Sequence, residues 1–384
     1  MLNPIKIRSK LPELGVTIFA TMSQLALKFD AINLSQGFPD FSCHPDLIKL
    51  VNKHMKAGHN QYAPMQGVKS LREKLAEKIE LIYGAKYNPG TEITITAGAT
   101  ESLFAAITAA VHPGDEVIVF EPWYDAYIPA IQYNGGIPVY IKLKLPDYRI
   151  DWENVGKVIS PKTRLMIFNS PHNPSGSILD KNDIDQLIKL VKNTDIILIN
   201  DEVYEHIIFD GKVHHSFSRY PELCERSMVI SSFGKTYHTT GWKVGYCAAP
   251  EALSVEFQKV HQFLTYAVNT PIQMAYADFL DRKHLYQELA NFYQRKRDLF
   301  SELISSSRFK ILPCKGTYFQ LADYSNISEQ NDFEFSKRLT CEFKVAVIPT
   351  SVFYHRKDDH NIIRFCFAKQ DDTLKKAAER LCRI

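Results

Sequence analysis

The strongest constraint on the fold is an alternation of short apolar runs with helical segments that begins near residue 91. The runs predicted as strands cover residues 93–96, 117–120, 139–143, 165–169, 196–200, 228–231 and 244–248, and helical patterns such as 101–111 and 181–192 lie between several of them. This alternation predicts an α/β fold with a largely parallel, doubly wound sheet and helices on both faces. Ligands of such sheets bind beyond the carboxyl ends of the strands.

The region after this alternation predicts a second, smaller α+β domain. Before it, helical patterns cover residues 18–29, 45–57 and 67–82. After it, a long helical region is predicted over 250–306, strands over 309–313, 316–321, 345–349 and 362–367, and helices over 333–342 and 371–381. We therefore expect an N-terminal arm and part of the small domain in 1–40, a large domain in 41–285 and a C-terminal small domain in 286–384.

Charge and cysteine content exclude several classes of protein. The 384 residues carry a formal net charge of +3 with both signs interspersed, which gives no basic field for nucleic acid or a membrane surface. The 7 cysteines are scattered without a Cys-x-x-Cys spacing, as is typical of reduced thiols. No apolar run reaches the roughly 20 residues of a membrane helix. We expect a cytoplasmic protein with neither a nucleic acid nor a membrane as partner.

A lysine in a loop of hydroxyl residues and glycines follows the strand predicted at 228–231. Lys235 lies between Ser232 and a second cation, Lys243. Taken alone, Lys235 would be an ordinary surface lysine. A lysine amine beside a phosphate-binding loop, however, is the arrangement that forms a Schiff base with pyridoxal 5'-phosphate, so the rest of the chain decides between the two interpretations.

Polar residues follow two other predicted strands. Asp201 directly follows the run 196–200, Tyr204 comes three residues later, and Asn173 lies in the proline-rich segment 170–176. A helix cap and a plain turn would explain them equally well. Alternatively, a buried Asp201 holds a pyridine nitrogen protonated, Tyr204 donates to the phenolate oxygen of the same ring, and Asn173 presents its amide to a planar ligand.

A small-residue turn at Gly98, Ala99 and Thr100 begins the next predicted helix. Any turn from a strand to a helix has this appearance, but its N–H groups and the helix dipole suit a phosphate. Ser232 and Lys243 would complete such a phosphate site. Tyr124, which follows another strand, is either a packing residue or the ring that stacks on the cofactor.

Together these residues resemble the fold-type I aminotransferases of class I and II, from about residue 15 to the C-terminus. The resemblance rests on the combination Gly98-Ala99-Thr100, Tyr124, Asn173-Pro174-Ser175-Gly176, Asp201 with Tyr204, Ser232 with Lys235, Lys243 and Arg364. Several further segments, including 35–41, 61–65 and 316–319, are similar to one branch of this family, the bacterial methionine aminotransferases, which is related to the kynurenine and glutamine transaminases.

The resemblance implies a role for each matching residue. Lys235 would bind pyridoxal 5'-phosphate covalently and move the proton at the substrate's α carbon. Arg364 would bind the α-carboxylate, with Asn173 and the backbone at Gly37 beside it, although Arg364 would equally suit a surface ion pair. Tyr62 would reach the phosphate of a partner subunit, which implies a homodimer with shared sites. The family often has arginine where Lys243 stands.

The expected substrates are an amino acid and a 2-oxo acid that react in turn, with ping-pong kinetics. Phe19, Tyr62 and Tyr266 would form an aromatic pocket for methionine, phenylalanine or similar side chains. Aspartate is disfavoured because no second arginine is evident. A pocket of this kind implies broad specificity. A kynurenine or glutamine transaminase with β-lyase activity on cysteine conjugates is the alternative.

Two interpretations that assign the chain to other classes of protein are weaker than the aminotransferase interpretation. A regulator that keeps this domain without catalysis would carry an added DNA-binding domain, for which the chain has no spare length. A nicotinamide-dependent dehydrogenase would need a Gly-x-Gly-x-x-Gly segment after a strand, and none is present.

Overall fold

Strands and helices alternate through the middle of the chain in a computed structural model that describes residues 7–384. The strands are β1 (Ile32–Asn33), β2 (Ile93–Thr96), β3 (Glu116–Glu121), β4 (Ile137–Lys142), β5 (Thr163–Asn169), β6 (Ile197–Asp201), β7 (Ser227–Ser232), β8 (Gly245–Ala248), β9 (Lys310–Ile311), β10 (Phe319–Asp323), β11 (Val345–Ala346), β12 (Ile348–Pro349) and β13 (Ile362–Cys366).

The α-helices are α1 (Ile18–Lys28), α2 (Pro45–Lys56), α3 (Lys69–Tyr83), α4 (Ala99–Ala110), α5 (Tyr127–Tyr133), α6 (Trp152–Val158), α7 (Lys181–Val191), α8 (Pro221–Cys224), α9 (Phe233–Thr236), α10 (Glu251–Leu264), α11 (Thr270–Phe279), α12 (His284–Gln287), α13 (Leu289–Leu303), α14 (Asp332–Cys341) and α15 (Asp371–Leu381). None of these helices is both long enough and apolar enough to cross a membrane.

The central sheet has seven strands in the order β2-β8-β7-β6-β5-β3-β4. Strands β7, β6, β5, β3 and β4 pair in parallel, and β8 is antiparallel to both of its neighbours. Both faces are covered, as β5 shows: Leu165 and Ile167 belong to one buried cluster, and Met166 and Phe168 belong to another. The predicted mostly parallel α/β sheet is confirmed.

A smaller antiparallel sheet, in the order β12-β13-β10-β9, contains most of the C-terminal strands. The N-terminal part of the chain returns to this region, because β1 pairs in parallel with β11. Helix α1 also packs against α14. The assignment of residues 1–40 in part to the small domain, with boundaries at 40 and 285, stays a prediction.

The clearest differences between predicted and observed elements concern two segments. The helical region expected over 250–306 is four helices, α10 to α13. The first break comes where Tyr266 adopts a left-handed conformation (φ +66°) and Asn269 caps a new helix. The single strand expected over 345–349 is two strands of two residues, since β11 pairs with β1 and β12 pairs with β13 in a different sheet.

Candidate active site

A cavity of about 230 Å³ lies at the carboxyl ends of the central strands. Segments that follow β2, β5, β6 and β7 line it, together with residues from the N-terminal loop and the C-terminal sheet. The predicted site residues among its lining residues are Phe19, Gly37, Gly98, Ala99, Thr100, Tyr124, Asn173, Asp201, Tyr204, Ser232, Lys235, Lys243 and Arg364. The topology of the sheet thus brings together residues that are far apart in the chain.

Lys235 lies on α9, the short helix that directly follows β7. The tight turn requires Gly234, since a Cβ there would lie 2.9 Å from the Cα of Thr240. The Nζ atom of Lys235 donates to the carbonyl oxygen of Gly37 (3.1 Å) and to the hydroxyl of Tyr318 (2.9 Å). Burial lowers the pKa of Lys235 to about 8, so a neutral, nucleophilic amine is accessible near neutral pH.

Asp201 is buried at the end of β6. Burial raises the pKa of its carboxyl group to about 6, although the hydroxyl of Tyr127 donates to Oδ2 (2.7 Å) and opposes this shift. The backbone oxygen of Asp201 accepts from Nδ2 of Asn169 (2.8 Å). A desolvated carboxylate held in this way suits a cationic ring nitrogen.

Arg364 is buried on β13, and its guanidinium lies 3.9 Å from the centre of the Phe319 ring. Nη1 donates to Oδ1 of Asn173 (2.6 Å) and Nη2 donates to the carbonyl oxygen of Ser35 (3.2 Å). Nε has no hydrogen-bond partner among the described residues. A buried guanidinium with unused donor capacity suits a carboxylate ligand rather than a surface ion pair.

An anion site is formed where β2 leads into α4. Gly98 begins the helix with φ +78°, and no side chain caps the free N–H groups of the first turn. Lys243 lies against this turn, since a Cβ on Gly98 would be 3.1 Å from Nζ of Lys243. Gly245 permits the close approach, because a Cβ there would be 2.8 Å from the nitrogen of Ala99. Free N–H groups, a helix dipole and an ammonium group together suit a phosphate.

Aromatic rings line the remaining walls. Tyr124 lies at the cavity and burial raises its pKa to about 12, so its hydroxyl stays protonated. Tyr204 is also buried, with its ring edge-on to Tyr318 at 5.1 Å, and burial raises its pKa. Phe19 also lines the cavity, with its ring centre 5.4 Å from the guanidinium of Arg364. Two neutral hydroxyl donors and an apolar wall therefore surround the charged groups.

Tyr62 and Tyr266 do not line this cavity in the described chain. Their rings pack edge to face at 5.6 Å, and 83% of Tyr62 and 46% of Tyr266 is exposed. A pocket role within one subunit would require both rings to line the cavity of their own chain, and they do not. Their predicted roles depend on a second copy of the chain.

Sequence reasoning missed Asn169 and Phe319, which line the cavity, and Tyr127 and Tyr318, which hydrogen-bond to predicted site residues. Tyr127 lies in the aromatic segment after β3, from which we singled out only Tyr124. Asn169 ends β5. Its side-chain amide donates to the backbone oxygen of Asp201 and accepts from the backbone N–H of Asn173. Tyr318 lies in the segment 316–319, which contributed to the resemblance without a role of its own.

The donor set fits pyridoxal 5'-phosphate. The uncapped turn at Gly98 with Lys243 matches the phosphate, the Asp201 carboxylate matches the ring nitrogen, and the Lys235 amine matches the aldehyde. Arg364 keeps an unpaired buried donor for a substrate carboxylate. No other charged residue among the described ones lines the cavity.

Comparisons with known proteins agree with this geometry. Over its full length the chain is 51% identical to methionine aminotransferase of Escherichia coli K12, covering 99% of that protein. It is 36% identical to kynurenine–oxoglutarate transaminase of Dictyostelium discoideum, covering 96% of this chain and 94% of that one.

Solved structures agree as well. The structure of YbdL from Escherichia coli, described as having a methionine aminotransferase function, is 50% identical, covers 99% of this chain and 100% of that chain, and has a TM-score of 0.97. N-Succinyldiaminopimelate aminotransferase from Mycobacterium tuberculosis has a TM-score of 0.94 at 34% identity, over 98% of this chain and 100% of that chain.

The sequence profile described as aminotransferase class I and II matches residues 30–381. The profile, the relatives and the site agree with the resemblance seen in the sequence, so the chain belongs to the class I and II aminotransferase family and is an aminotransferase.

Proposed function

We propose that this aminotransferase uses pyridoxal 5'-phosphate to move the amino group of methionine and other bulky apolar or aromatic amino acids to a 2-oxo acid. The observation that carries the proposal is the convergence of the Lys235 amine, the Asp201 carboxylate and the Arg364 guanidinium on one cavity. The 51% identity to the Escherichia coli methionine aminotransferase supports methionine as a donor.

Pyridoxal 5'-phosphate, when bound, supplies an electron-withdrawing ring that stabilises negative charge on the α carbon of the amino acid. Asp201 would hold a proton on the ring nitrogen through its negative charge. The turn at Gly98–Thr100, with Ser232 and Lys243, would bind the phosphate. Tyr204 would donate to the phenolate oxygen, and the ring of Tyr124 would lie against the pyridine.

Lys235 would attach the cofactor and, once released, would accept the proton from the α carbon of the substrate. Its lowered pKa leaves a useful fraction of neutral amine at pH 7 to 8, as a general base requires. Arg364 would orient the α-carboxylate with two parallel hydrogen bonds, while Asn173 holds the guanidinium in place. Substrate and base are thereby fixed relative to one another.

The cavity walls support the substrate class. The cations that line the cavity in the described chain are Lys235, Lys243 and Arg364, and each already has a role. None is left to pair with a side-chain carboxylate, so aspartate is a poor substrate in this proposal. The rings of Phe19 and Phe319 suit an apolar side chain. The two half-reactions would share Lys235 and follow ping-pong kinetics.

A homodimer with shared sites is part of the proposal. The exposed ring of Tyr62 would be covered by a second copy and would reach that copy's phosphate site, and Tyr266 would accompany it. Relatives named kynurenine–oxoglutarate transaminase make kynurenine a second donor to test. Release of pyruvate from a cysteine conjugate would reveal β-lyase activity in the same assay.

Lys235→Ala is the decisive variant. We expect purified wild-type protein to show the visible absorbance of a lysine-linked cofactor and to transfer nitrogen from methionine to a 2-oxo acid. Lys235→Ala should lose both, because the covalent link and the general base are removed together. Full turnover in the variant, or a wild type that neither takes up the cofactor nor transaminates, would refute the proposal. A panel of amino donors with one 2-oxo acid then orders methionine, phenylalanine, histidine, kynurenine and aspartate.

A further inference from the structure

The amine of Lys235 is held by two acceptors that lie close to each other. Its Nζ atom is 2.9 Å from the hydroxyl oxygen of Tyr318 and 3.1 Å from the carbonyl oxygen of Gly37. The Tyr318 hydroxyl is itself 2.5 Å from the same carbonyl oxygen. The three polar atoms thus form a closed triangle on one side of the amine.

The direction of these hydrogen bonds follows from the groups involved. A carbonyl oxygen only accepts, so Tyr318 donates its single proton to Gly37. The hydroxyl oxygen of Tyr318 then accepts an N–H from Lys235, and the Gly37 oxygen accepts a second one. A neutral amine has two N–H bonds and one lone pair. With both N–H bonds used, the lone pair is left on the side away from the triangle.

The triangle is rigid because its surroundings are closely packed. The Tyr318 side chain is fully buried, and its ring contacts the rings of Tyr204 and Tyr293 at 5.1 and 5.6 Å. On the other side, a Cβ on Gly37 would lie 2.8 Å from the ring of Phe319, so only glycine brings the carbonyl this near. Rotation of the tyrosine ring or retreat of the loop would require repacking of the core.

We propose that Tyr318 is a positioning residue that, with the carbonyl group of Gly37, orients the lone pair of the Lys235 amine toward the substrate. This inference rests on the proposed function, in which Lys235 moves the proton at the α carbon. Tyr318 acts through Lys235, and the low pKa of that lysine supplies the neutral amine that the triangle orients. Fixed orientation of a base matters because small misplacements cost large factors in rate.

The first test measures Lys235 without turnover. The full chain, freed of cofactor by dialysis against hydroxylamine, is trace-labelled with acetic anhydride across a range of pH, and acetylation of Lys235 is followed by mass spectrometry. Tyr318→Phe removes an acceptor that favours the ammonium form, so the labelling midpoint should fall by about half a unit to one unit. The exposed Lys157 serves as the internal reference.

The second test uses the holoenzyme. In the half-reaction with methionine, Tyr318→Phe should lower the rate about tenfold to a hundredfold with little change in the apparent affinity for methionine. Deuterium at the α carbon should slow the variant more than the wild type, because proton transfer becomes the limiting step. A change that only loosened packing would alter cofactor content or methionine affinity and would leave the isotope effect as it is.

Tyr293→Phe is the matched control. Its hydroxyl is buried in the same aromatic cluster and has no hydrogen-bond partner among the described residues. It should match the wild type in both tests. An unchanged labelling midpoint in Tyr318→Phe, or an unchanged isotope effect, would overturn the inference whatever happens to the overall rate. A wild type that takes up no cofactor would instead refute the proposed function, so the two failures are distinguishable.

Discussion

The pKa of Asp201 depends on its burial and on one hydrogen bond that opposes the effect of burial. Its carboxyl group is buried, which raises its pKa to about 6, and the hydrogen bond from Tyr127 acts in the opposite direction. A hydrogen bond to a carboxylate stabilises the charged form. Tyr127 therefore keeps Asp201 more acidic than burial alone would allow, and the carboxylate stays available for a ring nitrogen.

Tyr127→Phe should weaken cofactor binding more at pH 6 than at pH 8. Loss of the hydroxyl raises the pKa of Asp201 further, so a larger fraction of the carboxyl group is protonated at pH 6 and cannot pair with the ring. We expect about a tenfold loss of affinity for pyridoxal 5'-phosphate at pH 6, measured by absorbance titration. Tyr133→Phe, whose side chain is half-exposed, should be unchanged. Equal losses at both pH values would contradict the assignment.

Arg364→Lys should reduce kcat/KM for methionine about a hundredfold, mainly through KM. One ammonium group cannot reproduce the planar, bidentate contact to a carboxylate, and it loses the stacking on Phe319. Steady-state kinetics would measure the effect. Arg338→Lys, which changes an exposed ion pair with Glu342, is the control and should have wild-type kinetics. A KM for methionine in Arg364→Lys that equals the wild-type value would argue against a carboxylate site at Arg364.

At the scale of elements, one buried carboxylate joins α3 to the sheet beneath the site. Glu205, just after Tyr204, accepts hydrogen bonds from Lys78 (2.9 Å), Tyr83 (2.6 Å), Ser231 (2.7 Å) and Tyr246 (3.1 Å). Burial alone would raise the pKa of Glu205, but Lys78 and these donors hold it well below its usual value. The carboxylate thereby ties together α3, the segment after β6, β7 and β8.

Glu205→Gln should lower the free energy of unfolding by about 3 kcal/mol at pH 7, because Lys78 is left as a buried charge without its partner. Urea unfolding would measure it, and the double variant Lys78→Met with Glu205→Gln should recover part of the loss. The folded-state pKa lies below the unfolded one, so this stabilisation is complete above about pH 4.3 and declines as the pH falls. The free energies of unfolding of wild type and variant should therefore differ less at pH 3 than at pH 7. A difference under 1 kcal/mol at pH 7 would contradict the prediction.

At the scale of the whole molecule, two large exposed rings bear on the proposed homodimer. Tyr62 and Phe263 are 83% and 86% exposed in the single chain, and the Tyr62 ring packs edge to face with Tyr266. In the proposed homodimer a second copy covers these rings, and Tyr62 reaches the phosphate site of that copy.

Mixed dimers test this arrangement. We expect Lys235→Ala alone to be inactive and Tyr62→Ala alone to be strongly impaired. A mixture of the two variants, unfolded and refolded together, should regain about a quarter of wild-type activity. Half of the random dimers are hybrids, and each hybrid has one native site composed of Lys235 from one chain and Tyr62 from the other. No recovery on mixing would mean that Tyr62 serves its own subunit or no site.

The amino-acid sequence by itself determined the parallel α/β sheet and the positions of its reactive groups. Asp201 ends a strand, Lys235 and the turn at Gly98 come within three residues after one, and the strand ends of a parallel sheet meet at one edge. Predicting the site needed only local sequence patterns and the rule that ligands bind at the carboxyl ends of parallel strands. The family was recognisable from the same local segments, and the chain matches the class I and II aminotransferase profile over residues 30–381.

Only the tertiary structure decided which partners these groups have. Tyr318 and Gly37 meet Lys235 from parts of the chain that are 83 and 198 positions away, and Tyr127 reaches Asp201 across 74 positions. The division of 345–349 between two sheets likewise depends on pairing with β1 and β13. Local spacing carries no information on such contacts, because the packing of whole elements sets the distances between their side chains.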